Sequence, residues 1–143
     1  MAVERIAVAS DKSETASRAV AWAAEMARRY EAQLTIVQVF VPGPPPDGAE
    51  TELAVHAEQI AGPGTKARVA VGEDPASAIV AAAEAEQADV LVVGNIGMSG
   101  RREFLLGNVP NRVSHNATCT VVIVNTAEEP RQKRRLPWSR GQA

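Results

Sequence analysis

The sequence predicts an α/β fold in which a single-domain, open five-stranded parallel sheet carries helices on both faces. Three observations carry this. Short apolar, β-branched runs alternate with stretches of helical periodicity along the whole chain, beginning and ending on a strand. Each connection is long enough to hold a crossover helix, which makes the strands it joins parallel. Several of the runs are apolar almost throughout, as strands covered on both faces are.

The elements follow in order. Val3 to Ala9 (VERIAVA) reads as a buried strand that stops at the polar cluster Ser10-Asp11-Lys12-Ser13, with Ser13 as a helix cap. From Glu14 to Tyr30, the residues Ala16, Ala19, Val20, Ala23, Met26, Ala27 and Tyr30 recur at three- and four-residue spacing and predict a helix with one apolar stripe. Trp22 in that helix is expected in the core or facing a second copy. Leu34 to Val41 (LTIVQVFV) is the second strand, ended by the loop Pro42 to Gly48. Ala49 to Ala61 has a weaker helical pattern through Leu53, Ala54, Ala57 and Ile60. Lys66 to Val71 alternates like a strand nearer an edge, and Asp74-Pro75 supplies a cap followed by proline at the first helical position. Ile79, Val80 and Ala83 face inward from the helix that follows. Val90 to Val93 is the fourth strand, Asn108 to Ala117 the last helix, and Thr120 to Asn125 the fifth strand.

Composition narrows the function. At 143 residues, with 45% apolar and 22% charged side chains, the chain suits one core and is not disordered throughout. Aromatics are 3%, so a base-stacking nucleic-acid surface lacks its material and no nucleic-acid partner is expected. No apolar run approaches the roughly 20 residues that span a bilayer. A lone Cys119 excludes an internal disulfide, and the absence of a basic start followed by an apolar run places the chain in the cytoplasm. The net charge of −2 divides unevenly. Five basic residues against Glu128 and Glu129 give residues 127–143 a charge of +3, leaving about −5 on residues 1–126. Residues 1–126 are therefore read as the folded domain. Residues 127–143 are read as a basic, disordered extension, or alternatively as a docking peptide around Lys133-Arg134-Arg135 and Trp138.

In open parallel sheets, ligands bind beyond the carboxyl ends of the strands, where the winding direction reverses. That rule selects Ser10 to Ser13, Val39 to Val41 and Gly94 to Gly100. The strongest motif is Gly94-Asn95-Ile96-Gly97-Met98-Ser99-Gly100, directly after VLVV, with Gly107-Asn108 opening the next helix. Glycines at a strand end let the backbone approach an anion, and free N–H groups at a helix start favour phosphate. The same glycines also suit a tight turn with close helix packing and no ligand. The motif is neither a P-loop nor a dinucleotide GxGxxG.

The spacing Gly94-x2-Gly97-x9-Gly107, the segments LVVGNIGMSG and FLLGNVPNRVSHNATCTVVIVNT, and the opening RIAVASDKSETASRAVAWAAEMA resemble the universal stress protein family over residues 3–126. The resemblance implies a Rossmann-like sheet of the adenine-nucleotide α-hydrolase type and a homodimer joined through the last strand, Thr120 to Val124. It also implies the branch that binds ATP, or another adenine nucleotide such as AMP or cyclic AMP, with Mg²⁺ arriving on the phosphates. Carried over by position, Ala9, Ser10 and Asp11 lie at the ribose and adenine end, and Val39 offers its backbone to adenine. Gly94, Gly97, Ser99 and Gly100 form the phosphate loop, and Gly107, Asn108 and Val109 open the helix beside it. Lys12 is a candidate for an added charge contact. Asn108 stands where the pattern has Ser or Thr, and Pro110 removes one backbone donor nearby.

The implied role is a non-catalytic sensor of stress or energy state. The alternatives are a nucleotide-independent dimeric interaction module and a slow ATP hydrolase. His56, His115 and Cys119 form no recognisable nucleophile–base or metal pattern. Cys119 reads as a small buried hydrophobe, and His115 as a solvated residue near a helix end.

Overall fold

The computed structural model describes residues 2–41, 44–95 and 109–126. The elements run β1 (Arg5–Ser10), α1 (Glu14–Tyr30), β2 (Gln33–Phe40), α2 (Ala49–Ala61), β3 (Lys66–Val71), α3 (Pro75–Ala85), β4 (Val90–Gly94), α4 (Val109–Asn116) and β5 (Thr120–Val124). The five strands are parallel, in the order β3-β2-β1-β4-β5. The α/β class and the order of elements agree with the sequence reading, with element ends differing by a residue or two. Asn108, Pro42, Gly43 and residues 127–143 lie outside the described residues.

Strand alternation distributes the core between two layers. Ile6 and Val8 of β1, Leu34 and Ile36 of β2 and Val92 of β4 face one side, where Ala19, Val20 and Ala23 of α1 and Leu53 and Ala57 of α2 cover them. Ala7, Ala9, Val37, Leu91 and Val93 face the other side, under Ile79, Val80 and Ala83 of α3 and Val109 and Val113 of α4. Alanine lines the inner face of α1 and α3, so these helices can sit close to the sheet.

The helix starts are chemically explicit. Ser13 Oγ accepts the Ala16 N–H at 3.2 Å to cap α1, and Asp74 Oδ1 accepts the Ala76 N–H at 3.2 Å to cap α3, with Pro75 at the first position. Pro110 lies in the first turn of α4, where a missing N–H breaks no helical bond. The apolar stripe of α1 ends sooner than its periodicity predicts. Tyr30 is 56% exposed and Met26 only half-buried, while Ala24, outside the predicted stripe, is buried. Tyr30 is the last residue of the helix, which Glu31 ends in the left-handed conformation with φ at 55°. Trp22 is 36% exposed and so is not a core residue.

Candidate functional site

The strand order places the reversal of winding between β1 and β4, because β1 leads outward to β2 and β3 while β4 leads outward to β5. The carboxyl ends of these two central strands define the candidate site. At the end of β1, Ala9 is 3% and Ser10 1% exposed. Ser10 Oγ accepts the Lys12 N–H at 2.9 Å, and Asp11 Oδ1 accepts the Ser13 N–H at 2.9 Å. Two successive side-chain turns therefore fold the chain sharply from strand into helix. Lys12 takes up the sharpest bend, with φ at 69°, a left-handed conformation uncommon for lysine. Its ammonium does not turn back over the strand end. It lies 3.4 Å from Glu52 Oε1 of α2, which differs from the added ligand contact considered from the sequence.

Val39, half-buried near the end of β2, packs on the same side of the sheet as Ala9, Val93 and Val109. Gly94 ends β4 opposite Val124 of β5, and Val109, 4% exposed, opens α4 beneath the rim. Ala9, Ser10, Asp11, Val39, Gly94 and Val109 thus belong to strand ends or helix starts on one rim of the sheet. Gly97, Ser99, Gly100, Gly107 and Asn108 lie outside the described residues.

The structure adds residues to this rim that no periodicity in the sequence indicates. Asn95 follows Gly94, and its Oδ1 accepts from the Thr126 N–H at 2.9 Å and from Thr126 Oγ1 at 3.2 Å. Arg18 Nη1 of α1 donates to the Thr126 carbonyl at 3.1 Å. Arg112 of α4 donates to Asp74 at 2.7 Å. Hydrogen bonds from Ser77 and then Arg112 hold the Asp74 carboxyl below its ordinary range.

The groups with conceivable nucleophile or base chemistry are dispersed. Cys119 lies just before β5, at the opposite end of the sheet from the rim, half-buried against the second core layer, and burial pushes its thiol up. His115 is exposed in the last turn of α4. His56 sits on α2, where burial and then the charge of Lys12 hold its pKa below 6.5, and its Nε2 is buried with no hydrogen-bond partner among the described residues. Among the described residues, no group of three or more His, Cys, Asp or Glu is arranged to hold a metal ion. No described helix is long and apolar enough to cross a membrane. A cleft of about 300 Å³ beside Arg28, Gln33 and Gly64 lies at the amino ends of β2 and β3, away from the rim.

The family model described as the universal stress protein family matches residues 2–125. The chain belongs to the universal stress protein family. Universal stress protein Rv1636 of Mycobacterium tuberculosis is 32% identical over 145 aligned positions, covering 87% of this chain and 98% of that protein. A solved universal stress protein in complex with cAMP superposes with a TM-score of 0.71 at 33% identity, over 89% of this chain and all of that one. The Archaeoglobus fulgidus universal stress protein in complex with dAMP superposes with a TM-score of 0.62 at 25% identity, over 87% of this chain and all of that one. The family, and with it the five-stranded Rossmann-like sheet, agrees with the resemblance read from the glycine spacing.

Proposed function

We propose that this universal stress protein binds an adenine nucleotide on the β1/β4 rim and acts as a non-catalytic sensor. ATP is the proposed ligand, with AMP and cyclic AMP as its competitors. The observation that carries the reading is the coincidence of the topological switch point with the glycine motif, which begins at Gly94 on the last residue of β4. Relatives of the same fold solved with cAMP and with dAMP support it. Ala9, Ser10, Asp11 and Val39 then take the nucleoside, while Gly94, Gly97, Ser99, Gly100, Gly107, Asn108 and Val109 take the phosphates. Backbone N–H groups at the starts of α1 and α4 fit an anion in that position, and the Asp11 carboxylate fits a phosphate-bound Mg²⁺. A bound Mg²⁺ would neutralise phosphate charge.

The absence of catalysis is proposed on geometry. Cys119 is at the far end of the sheet, His56 is on α2 with Nε2 enclosed, and His115 faces solvent, so none of these three is placed with the strand ends of the rim. Slow incidental ATP hydrolysis is compatible with this. Residues 1–126 are proposed as the working domain, dimeric through Thr120 to Val124 and cytoplasmic, with 127–143 as a basic tail available to a protein partner.

The test is to denature the purified protein, identify any released nucleotide by chromatography and mass spectrometry, and titrate the emptied protein calorimetrically with ATP, AMP and cyclic AMP. ATP affinity in the low-micromolar range, about −8 kcal/mol, is expected. Gly97→Val should abolish it with circular dichroism unchanged. Failure of every adenine nucleotide to bind would overturn the reading in favour of a nucleotide-independent dimeric interaction module.

A further inference from the structure

The chain leaves β4 and β5 side by side, and one polar cluster ties the two exits to each other and to α1. Asn95 donates its backbone N–H to the Val124 carbonyl at 2.9 Å, extending the β4/β5 ladder one residue past the strand. Its side-chain Oδ1 receives both the N–H and the hydroxyl of Thr126, at 2.9 and 3.2 Å. Its Nδ2 points to Asn125 Oδ1 at 3.4 Å, a polarity that fixes the orientation of the amide. Thr126 is 1% exposed, and its carbonyl is held by Arg18 Nη1 at 3.1 Å. The partners are 31 and 108 positions apart in the chain, so the cluster forms only when the sheet and α1 are assembled.

Its position beside Gly94 gives the cluster a consequence for binding. Glycine has the widest backbone freedom of any residue, and removing that freedom before the ligand arrives lowers the cost of an anion contact at a glycine turn. Gly94 is fixed on one side by the β4 ladder. On the other side, Asn95 is held at both its backbone and its side chain. We propose that Asn95, Thr126 and Arg18 are positioning residues that pre-organise the end of β4 for the nucleotide, although Thr126 and Arg18 lie outside the glycine motif. This rests on the nucleotide-binding reading above. By thermodynamic reciprocity, nucleotide on the rim stabilises the chain at Thr126, and anything that stabilises Thr126 tightens the nucleotide.

The experiment is calorimetric titration with ATP, AMP and cyclic AMP of the full chain, Asn95→Ala, Thr126→Val, Thr126→Ser and the remote core variant Leu34→Val. Asn95→Ala and Thr126→Val should weaken the nucleotide by roughly threefold to tenfold, the effect of losing one or two hydrogen bonds from the pre-formed rim. Thr126→Ser keeps both donors and should retain the parent affinity. Leu34→Val, at the amino end of β2 and in the opposite core layer, lowers the melting temperature away from the rim and should also retain it, which separates positioning from stability. If Asn95→Ala fails to fold, Thr126→Val decides alone, because it keeps the backbone bond and removes only the hydroxyl. Parent-like affinity in the folded rim variants overturns this proposal and leaves the nucleotide reading standing. A parent chain that binds none of the three nucleotides overturns both.

Discussion

Arg112 of α4 donates Nη1 to Asp74 Oδ1 at 2.7 Å, and the same oxygen accepts the Ala76 N–H that caps α3. One carboxylate thus starts one helix and anchors the next, on the face of the sheet that carries Val109 and the opening of α4. Because Ser77 and Arg112 hold the Asp74 pKa below 3.8, the stabilisation is present above about pH 4 and is lost as the pH falls through the lowered value. Arg112→Met should lower the melting temperature modestly at pH 7. The gap from the parent should close on acidification below pH 4, as followed by circular dichroism melts across a pH series. A gap that persists unchanged at low pH would mean that Arg112 acts by packing and not through Asp74.

Ile79 is completely buried where α3 meets the sheet, against the layer that includes Ala7, Val37 and Leu91. Ile79→Ala should cost about 2–5 kcal/mol, since an alanine-rich helix has few larger side chains nearby to relax into the space. Urea denaturation measures it. A cost below about 1 kcal/mol would show that α3 closes onto the sheet after the deletion.

His56 supplies a pH dependence in a separate window. Burial, with the charge of Lys12, holds its pKa below 6.5, so the unfolded chain takes up the proton more readily than the folded one. Stability is therefore undiminished above pH 6.5 and falls as the pH drops below it, by no more than about 1.4 kcal/mol per pH unit for one proton. His56→Gln should flatten the urea midpoint between pH 6.5 and 5, well above where Asp74, Glu86 and Asp89 titrate, their carboxyls all being held below their ordinary values. An identical slope in the variant would assign the acid sensitivity elsewhere.

The edge of the sheet at β5 bears on the proposed dimer. Among the described residues, Thr120–Val124 pairs with β4 on one side only, and Ile123 is 42% exposed. An unpaired edge with an apolar side chain is the kind of surface that pairing with a twofold mate covers. Val122→Lys should give a monomer in light scattering. Ile123→Lys should do the same with less disturbance, because Val122 packs on the core and Ile123 does not. Dimer mass retained in both variants would remove β5 from the interface.

Much of the architecture was legible in local patterns. Val90 to Val93 announced a buried strand, Asp74-Pro75 a helix start and Ser13 a helix cap, each through chemistry confined to a few neighbouring residues. The rim was legible only as three separate segments. Nothing local announced that Lys12 would be drawn toward Glu52 or that Tyr30 would be exposed, because each depends on where a neighbouring element lies.

The sequence by itself determined the element order, the two-sided burial of the central strands and the family, since periodicity, capping and glycine spacing act over short chain distances. Only the tertiary structure decided the strand order β3-β2-β1-β4-β5, and with it the candidate site where β1 and β4 lie adjacent. It likewise decided that Asp74 would meet Arg112 across 38 positions and Thr126 would meet Arg18 across 108. Such partners leave no periodic trace, because a hydrogen bond between distant segments constrains two residue types and the space between them, and not the chain that joins them.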